Sequence, residues 1–219
     1  MWCIGVLSKE YRCRMYELLK LYARPYREQE PVICIDEKSK QLLAHTRPPL
    51  PLRPGAPGKY DYEYARAGTC NVFVAVEPKG KRRVLRVTQR RTKPEFVSFV
   101  RQLLERTYAS ARKVHLVLDN LNTHFGSSFE QVLGRSAAGR LLRRVQFHYT
   151  PKHASWLNMA EIEISILERQ CLGRWLTDQA QVSREVSAWQ RRRNAQRQGI
   201  DWTFTRQDAD RKLSRHYVS

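Results

Sequence analysis

The chain lacks any apolar run approaching the roughly 20 residues needed to span a bilayer, so membrane-spanning helices are excluded. Its five cysteines, Cys3, Cys13, Cys34, Cys70 and Cys171, are odd in number and scattered, with no C-x-x-C pair and no Cys/His cluster at zinc spacing. That pattern excludes a disulfide scaffold and argues against structural zinc. Internal repeats and low-complexity tracts are absent. Met1-Trp2-Cys3-Ile4-Gly5-Val6-Leu7 offers no basic leader and no cleavage site, so a cytoplasmic location is expected. Acids are the scarcest class relative to need: 21 Asp+Glu face 40 Lys+Arg, a formal net charge of +19. Such an excess attracts polyanions from a distance, which in a cell means nucleic acid. Charge alone suits ribosomal and RNA-binding proteins as well as DNA enzymes.

What is present is ordinary for a globular protein. Over 219 residues, 42% apolar and 28% charged, one full-sized domain can bury its own core. Tyr11, Met15, Leu18, Leu19 and Tyr22 fall at helical spacing within residues 9–24, closed by Pro25. Pro31-Val32-Ile33-Cys34-Ile35-Asp36 is too short for a helix and reads as a buried strand ending on a carboxylate. Prolines 48, 49, 51, 54 and 57 then mark a surface loop. Residues 60–76 read as a hairpin broken at Ala67-Gly68, and residues 82–88 as a further strand. Thr92 and Glu95 form a capping signature before a helix reaching about Tyr108. A second buried strand, Val114 to Asp119, again ends on a carboxylate. A helix over residues 128–144, broken near Gly134 or Gly139, a strand over residues 145–149 and helices beyond Pro151 complete an α/β chain with a mixed sheet.

A lone aspartate at a strand end is ordinarily a turn or cap residue. Two of them, Asp36 and Asp119, in a strongly basic protein point instead to phosphodiester chemistry. Ligands of such sheets gather at the carboxyl ends of the strands, and carboxylates are the hard oxygen donors that suit Mg²⁺. A third acid is expected from the helix after the last strand, where Glu161, Glu163 and Glu168 compete. Leu157, Ala160, Ile164, Leu167 and Cys171 form one helical stripe with Glu161 at its edge, on the side toward the sheet. Glu163 points the opposite way and is expected to be dispensable, while Glu168 lies about two turns on, roughly 10 Å away.

Three ordered segments carry a resemblance: Val32-Ile33-Cys34-Ile35-Asp36-Glu37-Lys38, His115 to His124 through Asp119-Asn120, and His148 to Glu161 through Pro151-Lys152-His153-Ala154-Ser155-Trp156-Leu157-Asn158. Together they resemble the catalytic blocks of bacterial insertion-sequence transposases of the mariner-like DDE superfamily, the IS six-thirty family. The resemblance implies an RNase H-like fold, a mixed five-stranded sheet flanked by helices. It implies a D-D-E site on Asp36, Asp119 and Glu161 holding two Mg²⁺ ions, with Mn²⁺ able to substitute, and cleavage and strand transfer at element ends and target DNA, usually TA. A homodimer is expected in the DNA complex. The implied organisation is a helical lead-in over residues 1–30, the catalytic domain over 31–180 and a basic helical tail over 181–219 packed on the same domain. Relatives usually carry helix-turn-helix modules ahead of this part, so a truncated gene, a split reading frame or an excised domain is expected.

Secondary expectations concern DNA. Lys38, Asn120, Asn122 and His124 follow the aspartates and are expected to touch phosphate or orient a metal ligand, with loop capping as the alternative. Lys152 and His153 precede the acidic helix and are candidates for the DNA backbone, as are Arg191, Arg192 and Arg193. Trp156 is read as a core or hinge residue rather than a platform for a displaced base. A catalytically silent DNA-binding remnant and an RNase H-type nuclease are the rival functions.

Overall fold

The computed structural model describes residues 7–59, 61–120 and 126–217. Helix α1 (Lys9–Ala23) opens where the Ser8 side chain accepts from the Tyr11 amide, and it buries Met15, Leu18, Leu19, Leu21 and Tyr22. Strands β1 (Val32–His45), β2 (Tyr64–Glu77) and β3 (Arg82–Thr88) form an antiparallel meander. Helix α2 (Lys93–Gln102) starts on the expected Thr92/Glu95 capping box and runs into a π-turn over Leu103–Thr107. Strand β4 (Val114–Leu118), helices α3 (Gly126–Leu133) and α4 (Arg135–Leu142), and strand β5 (Val145–Tyr149) follow, with the helix break at Gly134, whose φ of 78° favours glycine. Helices α5 (Ala160–Leu167), α6 (Gln179–Ala195) and α7 (Arg206–Leu213) close the chain.

The five strands lie in the order β3-β2-β1-β4-β5, with β1, β4 and β5 parallel. Alternation splits each strand between two layers. Ile33, Ile35, Phe73, Ala75, Leu116 and Leu118 face a core under α2, α3 and α4. On the other face Cys34, Val76 and Val117 pack under α1 and the start of α5, while Val72 and Val74 pack under α5 and α6. Strands buried on both sides favour apolar residues at every position, which is why the short runs before Asp36 and Asp119 are apolar save for His115. No helix among the described residues is long and apolar enough to cross a membrane.

Two strand assignments need correction. No hairpin turns at Ala67-Gly68: β2 runs straight through, and the ladder with β1 shifts register there, pairing Gln41 with Thr69 but Leu43 with Arg66. Gly68 absorbs the extra residue at a φ of 99°, and its carbonyl accepts from the Gln41 side-chain amide at 2.8 Å. The true hairpin joins β1 to β2, and the proline-rich segment is its tip, closed by bridges Leu50–Lys59 and Arg53–Ala56. Strand β1 likewise does not end at Asp36; it continues nine residues further, to His45, paired to β2 alone. That extension lies beyond the doubly covered middle of the sheet, so it can be polar, and Glu37-Lys38-Ser39-Lys40-Gln41 carries no apolar signal.

Beneath α1, β4 and β5 bring two buried histidines together. His148 Nδ1 lies 2.8 Å from Glu17 Oε1 and its Nε2 lies 2.9 Å from His115 Nδ1. Burial favours neutral rings, and with both neutral the Glu17 carboxylate accepts from Nδ1–H of His148 while His148 Nε2 accepts from Nδ1–H of His115. Burial, then the neighbouring His148, holds His115 down to about 4, and burial lowers His148 as well. Between about 4 and the ordinary value near 6.5 the unfolded chain takes a proton that folded His115 refuses, so stability falls as pH drops through that window. Thermal melts from pH 7 to pH 4 should therefore fall more steeply in the parent than in His115→Leu/His148→Leu; equal slopes would clear the pair of responsibility.

Candidate active site

The parallel ladder pairs Val32 with His115, Ile33 with Leu116 and Cys34 with Val117. Continued by two residues, the same register sets Asp36 level with Asp119, on strands about 4.8 Å apart. Both aspartates share the sheet face of Cys34 and Val117, the one covered by α1 and the start of α5. The side-chain amide of Asn158 donates to the Ile35 carbonyl at 2.9 Å, and its oxygen accepts from the Ala160 amide at 3.2 Å. That residue therefore fastens the first turn of α5 beside β1, one residue from Asp36, and Glu161 follows immediately. From the other side, the Tyr22 hydroxyl donates to the Leu157 carbonyl at 2.7 Å, tying the same turn to α1.

The acids act on one another through their charges. Asp36 is 9% exposed, and its pKa is pushed up to about 7, first by burial and then by the charges of Glu161, Asp119 and Glu37, against the stabilising Glu37 amide at 2.8 Å. Among the described residues no three His, Cys, Asp or Glu side chains stand close enough to form a ready cage for a metal ion. The donor chemistry nevertheless fits one: the acids are all-oxygen, one is buried, and their mutual repulsion is what a hard divalent cation relieves.

The other expected site residues divide. Lys38 is half-buried and paired with Glu168 at 3.4 Å, so its charge is engaged inside the fold. Asn120 accepts from Arg14 Nη1 at 2.8 Å and donates to the Thr150 carbonyl, which makes it a brace between α1 and the ends of β4 and β5. Asn122 and His124 lie outside the described residues. Lys152 and His153 are exposed on the loop before α5, His153 at a φ of 61°. Trp156 is not core: it is half-exposed, stacked on Trp202 at 6.3 Å and edge-on to Phe204 at 5.4 Å. Arg191 and Arg192 are exposed on α6, but Arg193 is buried and cannot reach DNA. Asn158 and Arg14 were missed by sequence reasoning; a lone polar residue between apolar ones, as Asn158 is, was the available signal.

Glu163 is the largest correction. It does face away from Glu161, yet it is fully buried, because the side chains of Arg83 from β3 and Arg193 from α6 close over it on that side. Arg83 Nε stands 3.0 Å and Arg193 Nε 2.9 Å from its Oε1, and Arg83 Nη2 donates to Oε2 at 3.1 Å. Arginines from two other elements, β3 and α6, thus clamp the helix that carries Glu161.

The sequence model of the DDE superfamily endonucleases matches residues 31–183. The chain belongs to that family. The matched segment runs from β1 through the start of α6 and contains Asp36, Asp119 and Glu161. No curated protein matches the chain. Among solved structures, the Mos1 mariner paired-end complex with Mn has a TM-score of 0.56 at 14% identity, over 88% of this chain and 58% of that one. A pre-cleavage Mos1 transpososome gives a TM-score of 0.45 at 14% identity, over 85% of this chain and 60% of that one. The chain thus spans about three fifths of the Mos1 chains, and at this identity the likeness to the paired-end complex shows the fold: a mixed five-stranded sheet flanked by helices, the RNase H-like architecture.

Two outcomes follow for this DDE endonuclease. Glu163→Ala leaves two arginines buried without a counter-charge and should cost about 3–5 kcal/mol in denaturant unfolding; a loss under 1 kcal/mol would mean the clamp carries little. Asp36→Asn should raise the melting temperature at pH 8 in EDTA, since it removes an ionised buried acid from beside two others. The gain should shrink as pH falls toward 4, where the parent Asp36 is itself neutral, because its folded pKa near 7 makes protons favour the folded state. A gain independent of pH would refute that electrostatic origin.

Proposed function

We propose that the chain is the catalytic part of a DNA transposase of the mariner-like IS six-thirty type, from a bacterial insertion sequence. The observation that supports this reading is the β1–β4 register, which extended by two residues would bring Asp36 level with Asp119, together with the Asn158 bond that ties the start of α5, just before Glu161, to β1. Membership of the DDE endonucleases supports DNA cleavage, and the fold shared with Mos1, whose structure is a paired-end complex with Mn, supports transposon ends as the substrate.

In this reading Asp36, Asp119 and Glu161 are the metal ligands, for two Mg²⁺ ions that Mn²⁺ can replace. Bound divalent cations neutralise charge on the phosphodiester and lower the pKa of the attacking water. The chain's own residues do the positioning. Asp36 and Asp119 present oxygens from a rigid sheet, Glu161 from a helix held on three sides, and the buried setting of Asp36 keeps bulk water from screening the charges. Two in-line displacements follow. Water forms a bond to phosphorus at the element end while the P–O3′ bond breaks and the leaving oxygen takes up a proton; the freed 3′-hydroxyl then attacks target DNA, commonly at TA, expelling a second 3′-oxygen. Exposed Lys152, His153, Arg191 and Arg192 are available to phosphate. The protein works in the cytoplasm, as a homodimer on DNA, with the span 31–180 as the catalytic domain and the basic segment after it packed on the same body.

Supercoiled plasmid should be nicked in Mg²⁺ and not in EDTA, and Glu161→Gln should fall to the EDTA level while binding duplex DNA as the parent does. A parent that binds but never nicks would make the chain a silent remnant. Preferential cutting of RNA–DNA hybrid would make it an RNase H-type nuclease.

A further inference from the structure

At the opposite end of the sheet from the acids, where β4 and β5 begin, there is an open cleft of about 470 Å³ lined by Arg112, Lys113, Arg140, Arg143, Arg144 and Val145. Five of its six lining residues are cations and none is an acid. Clustering like charges in a concave surface raises the local potential and works against folding, so the arrangement calls for an anion to balance it. Internal partners account for only part of the charge. Arg112 pairs with Glu30. Arg144 is spent on main chain, its guanidinium donating to the carbonyls of Leu104, Tyr108, Ala109 and Ala111, all neutral, so its charge remains uncompensated. Arg140 donates to the Ser136 hydroxyl at 2.6 Å, again a neutral partner. Lys113, Arg140 and Arg143 are exposed, and among the described residues none of them makes an ion pair. The positive field reaches inward: Lys113 is one of the charges that disfavour protonation of His115 and His148.

We propose that this cleft is a docking surface for the phosphate backbone of duplex DNA, separate from the acidic site. Strand β4 spans five residues between the two, so the cleft lies on the order of 16 Å from Asp119 along the strand. Strand phosphates repeat every few ångströms, so three free cations on one rim engage successive phosphates, whereas base edges are not read. Arg144, locked by four carbonyls, sets the floor; Lys113, Arg140 and Arg143 are the groups that release counterions. In the transposase reading, on which this role rests, the surface holds a stretch of duplex away from the cut, so that one protein body grips DNA at both ends of its sheet.

The test is the salt dependence of binding to a 30-base-pair random duplex, without divalent metal, for the parent and for Lys113→Gln/Arg140→Gln/Arg143→Gln. The variant should keep its melting temperature or gain, because repulsion is relieved, and should reduce the slope of log affinity against log salt by about 2–3, near 0.9 for each lost phosphate contact. An exposed control set, Arg53→Gln/Arg90→Gln/Arg91→Gln, should change the slope by less than 1. An unchanged slope in the cleft variant, or an equal loss in the control, would overturn the proposal and leave only a general effect of net charge. Inorganic phosphate competing at millimolar concentration as well as duplex does would also overturn it, by showing an isolated anion site. The slope comparison needs no metal and no cleavage, so a parent protein that fails to nick plasmid would remove the transposase reading while leaving the cleft's affinity for duplex to stand or fall by itself.

Discussion

Three steps of parallel ladder, Val32–Cys34 against His115–Val117, decide where acidic groups can stand in this protein. A slip of one residue would turn Asp36 to the opposite face, into the core of Ile33, Ile35 and Leu116, where a carboxylate has no oxygen-rich neighbours and no solvent. Register is held because both faces are buried: each residue of the pair has an apolar layer waiting for it, and the wrong alternation would bury polar atoms on one side while exposing Ile and Leu on the other. The acids therefore inherit their placement from hydrophobic packing several residues away. Their own interactions oppose it, since Asp36 is buried beside other carboxylates and is pushed up to about 7.

Helix α5 answers a different constraint. A two-turn helix has little stability by itself and takes its setting from what packs against it. Here its first turn is stitched to β1 by Asn158 and to α1 through the carbonyl of Leu157, and its middle is clamped by Arg83 and Arg193 on Glu163. Buried ion pairs are poor sources of net stability, because desolvation offsets most of the attraction, but they tolerate few alternatives in geometry. A clamp of that kind suits a helix whose task is to hold Glu161 at one angle. It also explains how neighbouring glutamates on one short helix take opposed roles, one among acids and one among arginines.

Charge is distributed in the same spirit. Against a net +19, the acids gather where β4 ends, while uncompensated cations collect where β4 and β5 begin. Several arginines that inflate the total are structural: Arg83 and Arg193 neutralise Glu163, and Arg144 cross-links the turn after α2 through four carbonyls. Net charge thus overstates the positive surface open to a polyanion, and it is position that separates a structural guanidinium from a free one.

Much of this was legible in the chain. The short, mostly apolar runs before Asp36 and Asp119, the Thr92/Glu95 box and the helix break expected near Gly134 or Gly139 are all local patterns, and local patterns survive into the fold because each reflects the burial or hydrogen bonding of its own few residues. The failures were of another kind. Gly68 signals a break equally well for a turn and for a bulge, and only the ladder with β1 chooses between them. The polar half of β1 has no periodic signature because its partner, not a core, holds it. Glu163 and Arg193 look like solvated charges until β3, α5 and α6 meet, and Asn120 looks like a free amide until α1 and β5 arrive beside it. The sequence by itself determined the order of most elements and the faces of the strands, through hydrophobic periodicity. Tertiary structure alone decided which charges are spent inside the protein and which stay free at its surface, because a side chain's partner is set by whatever element packs against it, however distant in the chain.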